Sequence, residues 1–211
     1  GYEWLVGATT VPALQLAKAF SEVHEIRAGA LVDENDAGGP AVAEDFEYLN
    51  RLMPAALTRR AGNWIWRAGD DTRAVFSALD GTDIQATGFS SIDVVGLATA
   101  TGAHSFQFDL GMGVSSSRRQ GGALSTEIIL DITGLDASGQ ALHTRHAVVH
   151  PGGAAPLTAL GITLLLERLI GLDGKPPVAP GLYFPYQILD ASRYLSQLAE
   201  EGGEVRTLTS V

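Results

Sequence analysis

Residues 124–150 read LSTEIILDITGLDASGQALHTRHAVVH, and this stretch decides the fold class. Two segments in it, 124–133 and 140–149, are rich in β-branched and apolar residues, and a turn-forming linker at residues 135–139 separates them. Apolar strands divided by a linker of this length favour a β-hairpin. The sequence therefore predicts two neighbouring strands of an antiparallel sheet.

A helix is predicted directly after this hairpin, over residues 156–170. Pro156 fits the first turn of a helix, where its missing N–H would have no partner, and Gly171 suits a left-handed stop. The first ten residues of this helix carry no charge on any side. Helices that are apolar all round are buried in a core or in a subunit interface, so this helix predicts a homodimer.

The remaining elements follow from hydrophobic periodicity and from breaker residues. Strands are predicted over residues 2–6, 26–32, 63–67, 73–79 and 105–110, and a polar loop over 115–122. Helices are predicted from Thr10 through Phe20 to Val23, over 42–53 and 91–100, and from Asp190 to Gly202. Because hairpins dominate the strand connections, we expect an α+β fold in one domain, residues 1–211. Its sheet should be mixed and largely antiparallel, with helices mainly on one face.

The composition argues against several classes of partner. The chain has 211 residues, with 14 basic and 24 acidic side chains and a net charge of −10, which disfavours nucleic acid and anionic membranes. It has no cysteine, so it has no disulfide, and a reducing cytoplasm is the expected location. The most apolar run, residues 157–166, is shorter than the roughly 20 residues of a membrane span. The chain begins at Gly1 without a methionine, so we expect a longer parent protein.

A candidate dinucleotide motif begins at Gly111-Met112-Gly113, and Asp131 follows about 20 residues later. The glycine-rich fingerprint works only where a strand turns directly into a helix whose N-terminus faces the pyrophosphate. Here Ser116 stands at the third glycine position, and a polar loop is predicted to lead into another strand. We therefore expect this chain alone to bind neither NAD nor NADP.

Three residues are candidates for substrate binding or catalysis because of their chemistry. Arg118 and Arg119 lie in the polar loop and are candidate substrate-binding residues, since guanidinium groups pair bidentately with carboxylates. The alternative is that both are solvated surface charges. His150 ends a strand at a glycine turn and is a candidate catalytic residue, because imidazole titrates near neutral pH. The alternative is a structural histidine.

A metal site at the histidines is not favoured. On a strand, His146 and His150 share a face, whereas His143 points to the other. A zinc site needs three or four convergent ligands, and neither a cysteine nor a nearby acidic residue completes this set. The sequence therefore predicts no metal site.

Two glycine turns that precede helices are candidate anion sites. One is the turn at residues 151–153, and the other is the loop Gly7-Ala8-Thr9-Thr10. Backbone N–H groups at the start of a helix can hold an anion, although most such turns bind nothing. Thr9 and Thr10 add hydroxyl donors, so they complete the set of candidate substrate-binding residues.

Short motifs spread over most of the chain carry a family resemblance. They are GATTVPAL at 7–14, IDVVGLA at 92–98, the turn at His150 with LTAL at 157–160, and PGLYFP at 180–185 with ILD at 188–190. Together they resemble the C-terminal half of saccharopine-dehydrogenase-like oxidoreductases. The resemblance implies an α+β second domain that shapes the substrate cleft and forms the dimer interface, while an N-terminal Rossmann domain binds NAD or NADP. It also implies that the loop at residues 7–12 lies near the nicotinamide.

The leading hypothesis combines this resemblance with the missing fingerprint. The chain would be the substrate-binding and dimerisation domain of an NAD(P)-dependent oxidoreductase that acts on an amino-acid-like or imine substrate, and it would be inactive alone. A non-catalytic dimerisation or ligand-binding module of the same fold is the alternative. An independent hydrolase is the weakest hypothesis, because the chain has no Gly-x-Ser-x-Gly nucleophile elbow.

Overall fold

The computed structural model describes residues 3–36, 38–39, 44, 47–48, 51–52 and 55–208. Most of the helix predicted over residues 42–53 lies outside the described residues. Within the described ranges, no helix is long and apolar enough to cross a membrane.

The described strands and helices are numbered in chain order. The strands are β1 (Glu22–Asp33), β2 (Ala55–Arg60), β3 (Asn63–Ala68), β4 (Arg73–Ser77), β5 (Asp83–Gly88), β6 (Ser105–Gly113), β7 (Thr126–Leu135), β8 (Ala141–His150) and β9 (Glu204–Leu208). The helices are α1 (Thr10–Ala17), α2 (Asp93–Thr101), α3 (Ser116–Arg119), α4 (Ala154–Ile170), α5 (Pro185–Ile188) and α6 (Ala191–Glu200). A 3-10 helix at Gly69–Thr72 connects β3 to β4.

The nine strands form one sheet in the order β3-β2-β6-β1-β7-β8-β9, and the β4–β5 hairpin joins it at β6. Among the described strands, β1 and β6 run parallel to each other, and the other pairings are antiparallel. The predicted hairpin is β7–β8, which pairs continuously from Thr126 opposite His150 to Leu135 opposite Ala141. The mixed, largely antiparallel α+β fold is therefore confirmed.

Helices α1, α2, α4 and α6 share the main hydrophobic core with one face of the sheet, as predicted. Alternate residues of the central strands point into this core; they are Ile26, Ala28 and Ala30 of β1, Phe106 and Phe108 of β6, and Ile128, Leu130 and Ile132 of β7. Burying a large apolar side chain contributes roughly 1.5–3 kcal/mol. This helix face of the sheet is therefore the main source of stability.

The opposite face of the sheet is covered in part by the β4–β5 hairpin. Gly29 in β1 lets the ring of Phe76 lie directly on the sheet, because an added Cβ would sit 2.5 Å from that ring. Gly111 in β6 makes the same room for Ile84, again at 2.5 Å. The two glycines therefore allow the β4–β5 hairpin to pack closely on this side of the sheet, which we call the hairpin face.

The structure corrects two predictions near the N-terminus, namely the first strand and the end of the first helix. The strand predicted at residues 2–6 is wrong, because residues 4–9 form consecutive turns. Helix α1 ends at Ala17 instead of continuing to Val23. The N–H of Ser21 donates to the carbonyl of Leu135 at 2.8 Å, so pairing with β7 draws the following residues into β1.

Other differences concern strand pairing. The strands predicted at 63–67 and 73–79 form, but they do not pair with each other: β3 pairs with β2, and β4 pairs with β5. No prediction covers β2, β5 or β9. The predicted polar loop at 115–122 contains the single-turn helix α3.

Candidate functional site

A cavity with a volume of about 680 Å³ lies where β1 and β6 end, beside the N-terminal half of α4. Its walls are apolar, with Trp4 and Leu5 from the N-terminal loop, Val32, Leu110 and Met112 from the strand ends, and Ala155, Ala159 and Ile162 from α4. Asp33, Glu34 and Asp36 also line it. The carboxyl ends of parallel strands are where α/β sheets bind ligands, and β1 and β6 are the parallel pair. We call this space the strand-end cavity.

Asp33 supplies the cavity with a buried, ionised carboxylate. Burial would raise its pKa, but hydrogen bonds from Ser115, Asn35 and Arg118 outweigh that effect and lower the pKa to about 2. The N–H groups of Ser115 and Asn35 donate to its oxygens at 2.8 and 2.9 Å, and Arg118 donates through Nη1 at 2.5 Å. Arg118 also lies 3.4 Å from Glu34. The Arg118 guanidinium is therefore engaged by the chain's own carboxylates at the edge of the cavity.

Asp36 occupies the N-terminus of α4. Its Oδ2 accepts from the N–H of Ala154 at 2.6 Å and from the hydroxyl of Thr126 at 3.1 Å. The same carboxylate lies against Gly153, where an added Cβ would be 2.6 Å away. The glycine turn at residues 151–153 thus does face an anion, and that anion belongs to the protein.

His150 lies at the end of β8, on the helix face of the sheet. Its Nδ1 accepts from the N–H of Gly152 at 3.0 Å, and its Nε2 is buried without a hydrogen-bond partner among the described residues. It does not line the strand-end cavity. A catalytic role for His150 stays a prediction that needs this ring to become accessible.

The three histidines do not converge. His143 lies on the hairpin face, 3.1 Å from Asp131, whereas His146 faces the helices with His150. Burial lowers the pKa of His146, and the charge of Asp131 acts in the opposite direction. The part of the chain that the structure describes contains no group of three or more metal-ligating side chains.

Arg119 lies away from the cavity and connects α3 to the turn between β4 and β5. Its Nε and Nη2 donate to the two oxygens of Asp80 at 2.7 and 2.8 Å. This bidentate pair holds the pKa of Asp80 well below its usual range. Arg119 therefore anchors the hairpin, and a direct role in substrate binding stays a prediction.

Thr9 and Thr10 belong to a buried cluster behind Trp4. The hydroxyl of Thr10 donates to Glu3 Oε2 at 2.9 Å, and the N–H of Trp4 donates to Asp93 Oδ2 at 2.7 Å. Burial, reinforced by the charge of Asp93, raises the pKa of Glu3 to about 8. Burial likewise raises the pKa of Asp93 to about 6, an effect that hydrogen bonds from the Ser91 hydroxyl and the Trp4 N–H oppose. The cluster fixes the backbone of Trp4 and so shapes the cavity wall.

None of the five sequence-predicted site residues lines the strand-end cavity, although three of them support its walls. Thr9 and Thr10 lie behind Trp4, and Arg118 pairs with Asp33. Sequence reasoning did not single out Asp33, Glu34 or Asp36 as site residues. The signal was available, since an acidic run directly after a buried strand places carboxylates at the end of a sheet.

Comparison with known proteins gives a likeness of fold only. Neither a scan against models of protein families nor a search of curated protein sequences finds a match. Among solved structures, apo histidine-tagged saccharopine dehydrogenase (L-Glu forming) from Saccharomyces cerevisiae is similar, with a TM-score of 0.54 and 11% sequence identity over 98% of this chain and 71% of that chain. GenD2 from gentamicin A biosynthesis, in complex with NAD, aligns with 98% of this chain and 62% of its own at 10% identity, with a TM-score of only 0.28. The chain therefore shares its fold with saccharopine dehydrogenase.

Proposed function

We propose that this chain is the substrate-binding and dimerisation domain of a saccharopine-dehydrogenase-like, cytoplasmic oxidoreductase that acts on an amino-acid-like or imine substrate. Support comes from the fold likeness over nearly the whole chain and from the strand-end cavity. An N-terminal Rossmann domain of the parent protein would supply the NAD or NADP.

The observation that carries this proposal is the chemistry of the strand-end cavity. Its walls are apolar, and Asp33, Glu34 and Asp36 contribute three carboxylates against one nearby guanidinium, Arg118. An excess of negative charge beside an apolar wall favours a ligand with a methylene chain and a cationic amine or protonated imine. A lysine-like side chain has this character.

The described residues do not fit a pyrophosphate after β6. The N–H of Ser115 donates to Asp33 at 2.8 Å, and the N–H of Ser116 donates to Glu127 at 2.6 Å. These are the backbone groups that a dinucleotide would need at the start of α3, and carboxylates already occupy them. This arrangement supports a cofactor site on another domain.

Calorimetric titration with L-lysine and L-norleucine tests the proposed ligand chemistry, because the two amino acids differ in the terminal amine. We expect saturable binding of lysine and much weaker binding of norleucine. Ala159→Phe should abolish lysine binding, because Ala159 is an exposed wall residue of the cavity. Thr163→Phe is the matched control: Thr163 is exposed on the same helix but does not line the cavity, so binding should be unchanged.

Equal binding of the two amino acids would count against the amine-recognising cavity, as would lysine binding that survives Ala159→Phe. An effect of Thr163→Phe equal to that of Ala159→Phe would show that the loss comes from the helix and not from the cavity. Any of these three results would remove the support for the proposed substrate class.

The proposed homodimer would use the exposed side of α4. This helix buries Leu157, Leu160, Gly161 and Leu164, and the apolar residues on its opposite side are exposed; they are Ala155, Ala159, Ile162, Leu166 and Ile170. A contiguous apolar stripe of this kind marks an interaction surface. Its lower end, Leu166 and Ile170, lies outside the strand-end cavity, and no described residue buries these two side chains.

Sedimentation velocity at micromolar concentration should therefore show a dimer. Leu166→Glu with Ile170→Glu should convert it to a monomer, because charges would be buried unpaired in the interface. Leu172→Glu is the control, since Leu172 is 73% exposed and lies beyond the helix. A monomeric wild-type chain would rule out this interface.

A non-catalytic dimerisation or ligand-binding module remains the second candidate. The observation in its favour is that Arg118, Arg119 and His150 are all held by contacts within the chain. The two candidates differ in the parent protein: lysine-type binding without any NAD(P)-dependent turnover would favour the module.

A further inference from the structure

A second cavity of about 350 Å³ lies on the hairpin face of the sheet, opposite the helices and the strand-end cavity. Its floor is formed by charged and polar residues of four strands; they are Glu25 and Arg27 of β1, Gln107 and Asp109 of β6, Asp131 and Thr133 of β7, and His143 and Arg145 of β8. Val75, Phe76 and Ser77 of β4 form its wall. We call it the hairpin-face cavity.

The wall of the hairpin-face cavity is built into the fold. The ring of Phe76 rests on Gly29, and the carbonyl of Ser77 accepts from Arg145 Nη2 at 2.5 Å. Ile129 adds a third apolar side chain beside Val75 and Phe76. The cavity therefore combines a fixed apolar wall with a charged floor, and its volume suits a small metabolite.

Most charges on the floor already have partners. Asp109 accepts from the buried Arg67 at 2.7 Å and from Gln107 at 2.7 Å. Asp131 contacts His143 at 3.1 Å and Arg145 at 3.5 Å. The carboxylates of Asp109 and Asp131 are therefore each paired with an arginine.

Arg27 and Glu25 are the exception, because each keeps unused hydrogen-bonding capacity. Arg27 donates through Nε to Glu25 Oε1 at 2.9 Å, and neither its two Nη atoms nor Glu25 Oε2 bonds to a described residue. The Arg27 guanidinium can therefore donate two parallel hydrogen bonds to a ligand carboxylate, and Glu25 Oε2 can accept a hydrogen bond from a ligand ammonium. Both side chains line the hairpin-face cavity.

We propose that the hairpin-face cavity binds a zwitterionic α-amino acid with an apolar side chain. The α-carboxylate pairs with the Nη atoms of Arg27, and the α-ammonium pairs with Glu25. The α-carboxylate and α-ammonium of the ligand are attached to the same carbon. The two groups can therefore contact Arg27 and Glu25 together, because these residues are two apart on β1 and form an ion pair. The ligand side chain lies against Val75, Phe76 and Ile129.

This site is separate from the one in the proposed function. The two cavities lie on opposite faces of the sheet and share no lining residue. Occupation of each can be followed on its own residues, so failure of one proposal leaves the other standing.

The test is an NMR titration of the whole chain with L-leucine, L-leucinamide and N-acetyl-L-leucine. The amide lacks the carboxylate, and the acetyl derivative lacks the ammonium. We expect leucine alone to bind at millimolar concentration or tighter, with shift changes at Arg27, Phe76 and Ile129. Arg27→Gln or Glu25→Gln should weaken leucine binding at least about tenfold, because a charge-assisted hydrogen bond is lost.

The strand pair Glu204 and Arg206 supplies the matched control. These residues are also two apart on one strand and form an ion pair, but they do not line the cavity. Arg206→Gln should leave leucine binding unchanged within about twofold. The proposal is overturned if leucine does not bind, if either derivative binds as well as leucine, or if Arg27→Gln and Arg206→Gln have the same effect.

Discussion

Replacing Gly161 with alanine should lower the free energy of unfolding by about 1–3 kcal/mol. Gly161 lies in the middle of α4, and a Cβ there would be 1.9 Å from the carbonyl oxygen of Val6. The clash is with backbone, which cannot move aside as a flexible side chain can. Leu5 and Val6 already have positive φ angles of 51° and 45°, so the loop is held in a strained path against α4.

Denaturant unfolding measures this effect, and the sign of the change is the test. On helix propensity alone, alanine in place of a helical glycine should stabilise by about 1 kcal/mol. Thr163→Ala, at an exposed position of the same helix, should follow propensity and change stability only slightly. A stabilised Gly161→Ala variant would show that the N-terminal loop does not pack on α4 and that Trp4 and Leu5 do not form the cavity wall.

Replacing Arg67 with methionine should lower the free energy of unfolding by about 3–5 kcal/mol. The Arg67 side chain is 3% exposed and lies 2.7 Å from Asp109, whose side chain is 7% exposed. Arg67 also donates to the hydroxyl of Thr58 at 2.9 Å and to the carbonyl of Phe108 at 3.2 Å. Methionine keeps much of the volume but leaves the Asp109 carboxylate buried without its ion-pair partner.

The double variant Arg67→Met with Asp109→Leu distinguishes the effect of losing the ion pair from the effect of leaving a buried carboxylate unpaired. Replacing both partners of a buried ion pair with apolar residues is often close to neutral, so the double variant should recover most of the stability lost in the single one. Thermal and denaturant unfolding would measure all of these changes. A double variant that is no more stable than Arg67→Met would mean that the stranded carboxylate is not the cause.

The parts of the fold that local sequence determines were predictable. The β7–β8 hairpin and α4 carry their own strand pattern, turn residues, Pro156 and the Gly171 stop, and Gly171 has a positive φ of 77° in the structure. The start of the last helix at Asp190 was also predicted, and the Asp190 side chain caps that helix by accepting from the N–H of Arg193. Such signals act within a few residues and need no knowledge of the rest of the chain.

The parts that depend on distant neighbours were not predictable. Strand β9, five residues long and mostly exposed, exists because it pairs with β8. The end of α1 depends on the contact between Ser21 and Leu135. Tertiary pairing overrides local propensity in both cases.

The site was predicted only in outline. Thr9, Thr10 and Arg118 were chosen for their side-chain chemistry, and the structure places them behind the residues that line the strand-end cavity. The cavity itself forms where the N-terminal loop, two strand ends and α4 meet, and no single segment of sequence contains that information. Asp33 and Asp36 were not predicted as site residues, because their carboxylates reach the cavity only through the packing of β1 and α4, which are distant in sequence.

We propose that this chain recognises substrate while another domain holds the nucleotide. Calorimetric titration of the 211-residue chain with L-lysine and, in parallel, with NADH tests it most directly. We expect saturable binding of lysine that Ala159→Phe removes, and no stoichiometric binding of NADH. Tight one-to-one binding of NADH, with lysine leaving no heat signal, would contradict it.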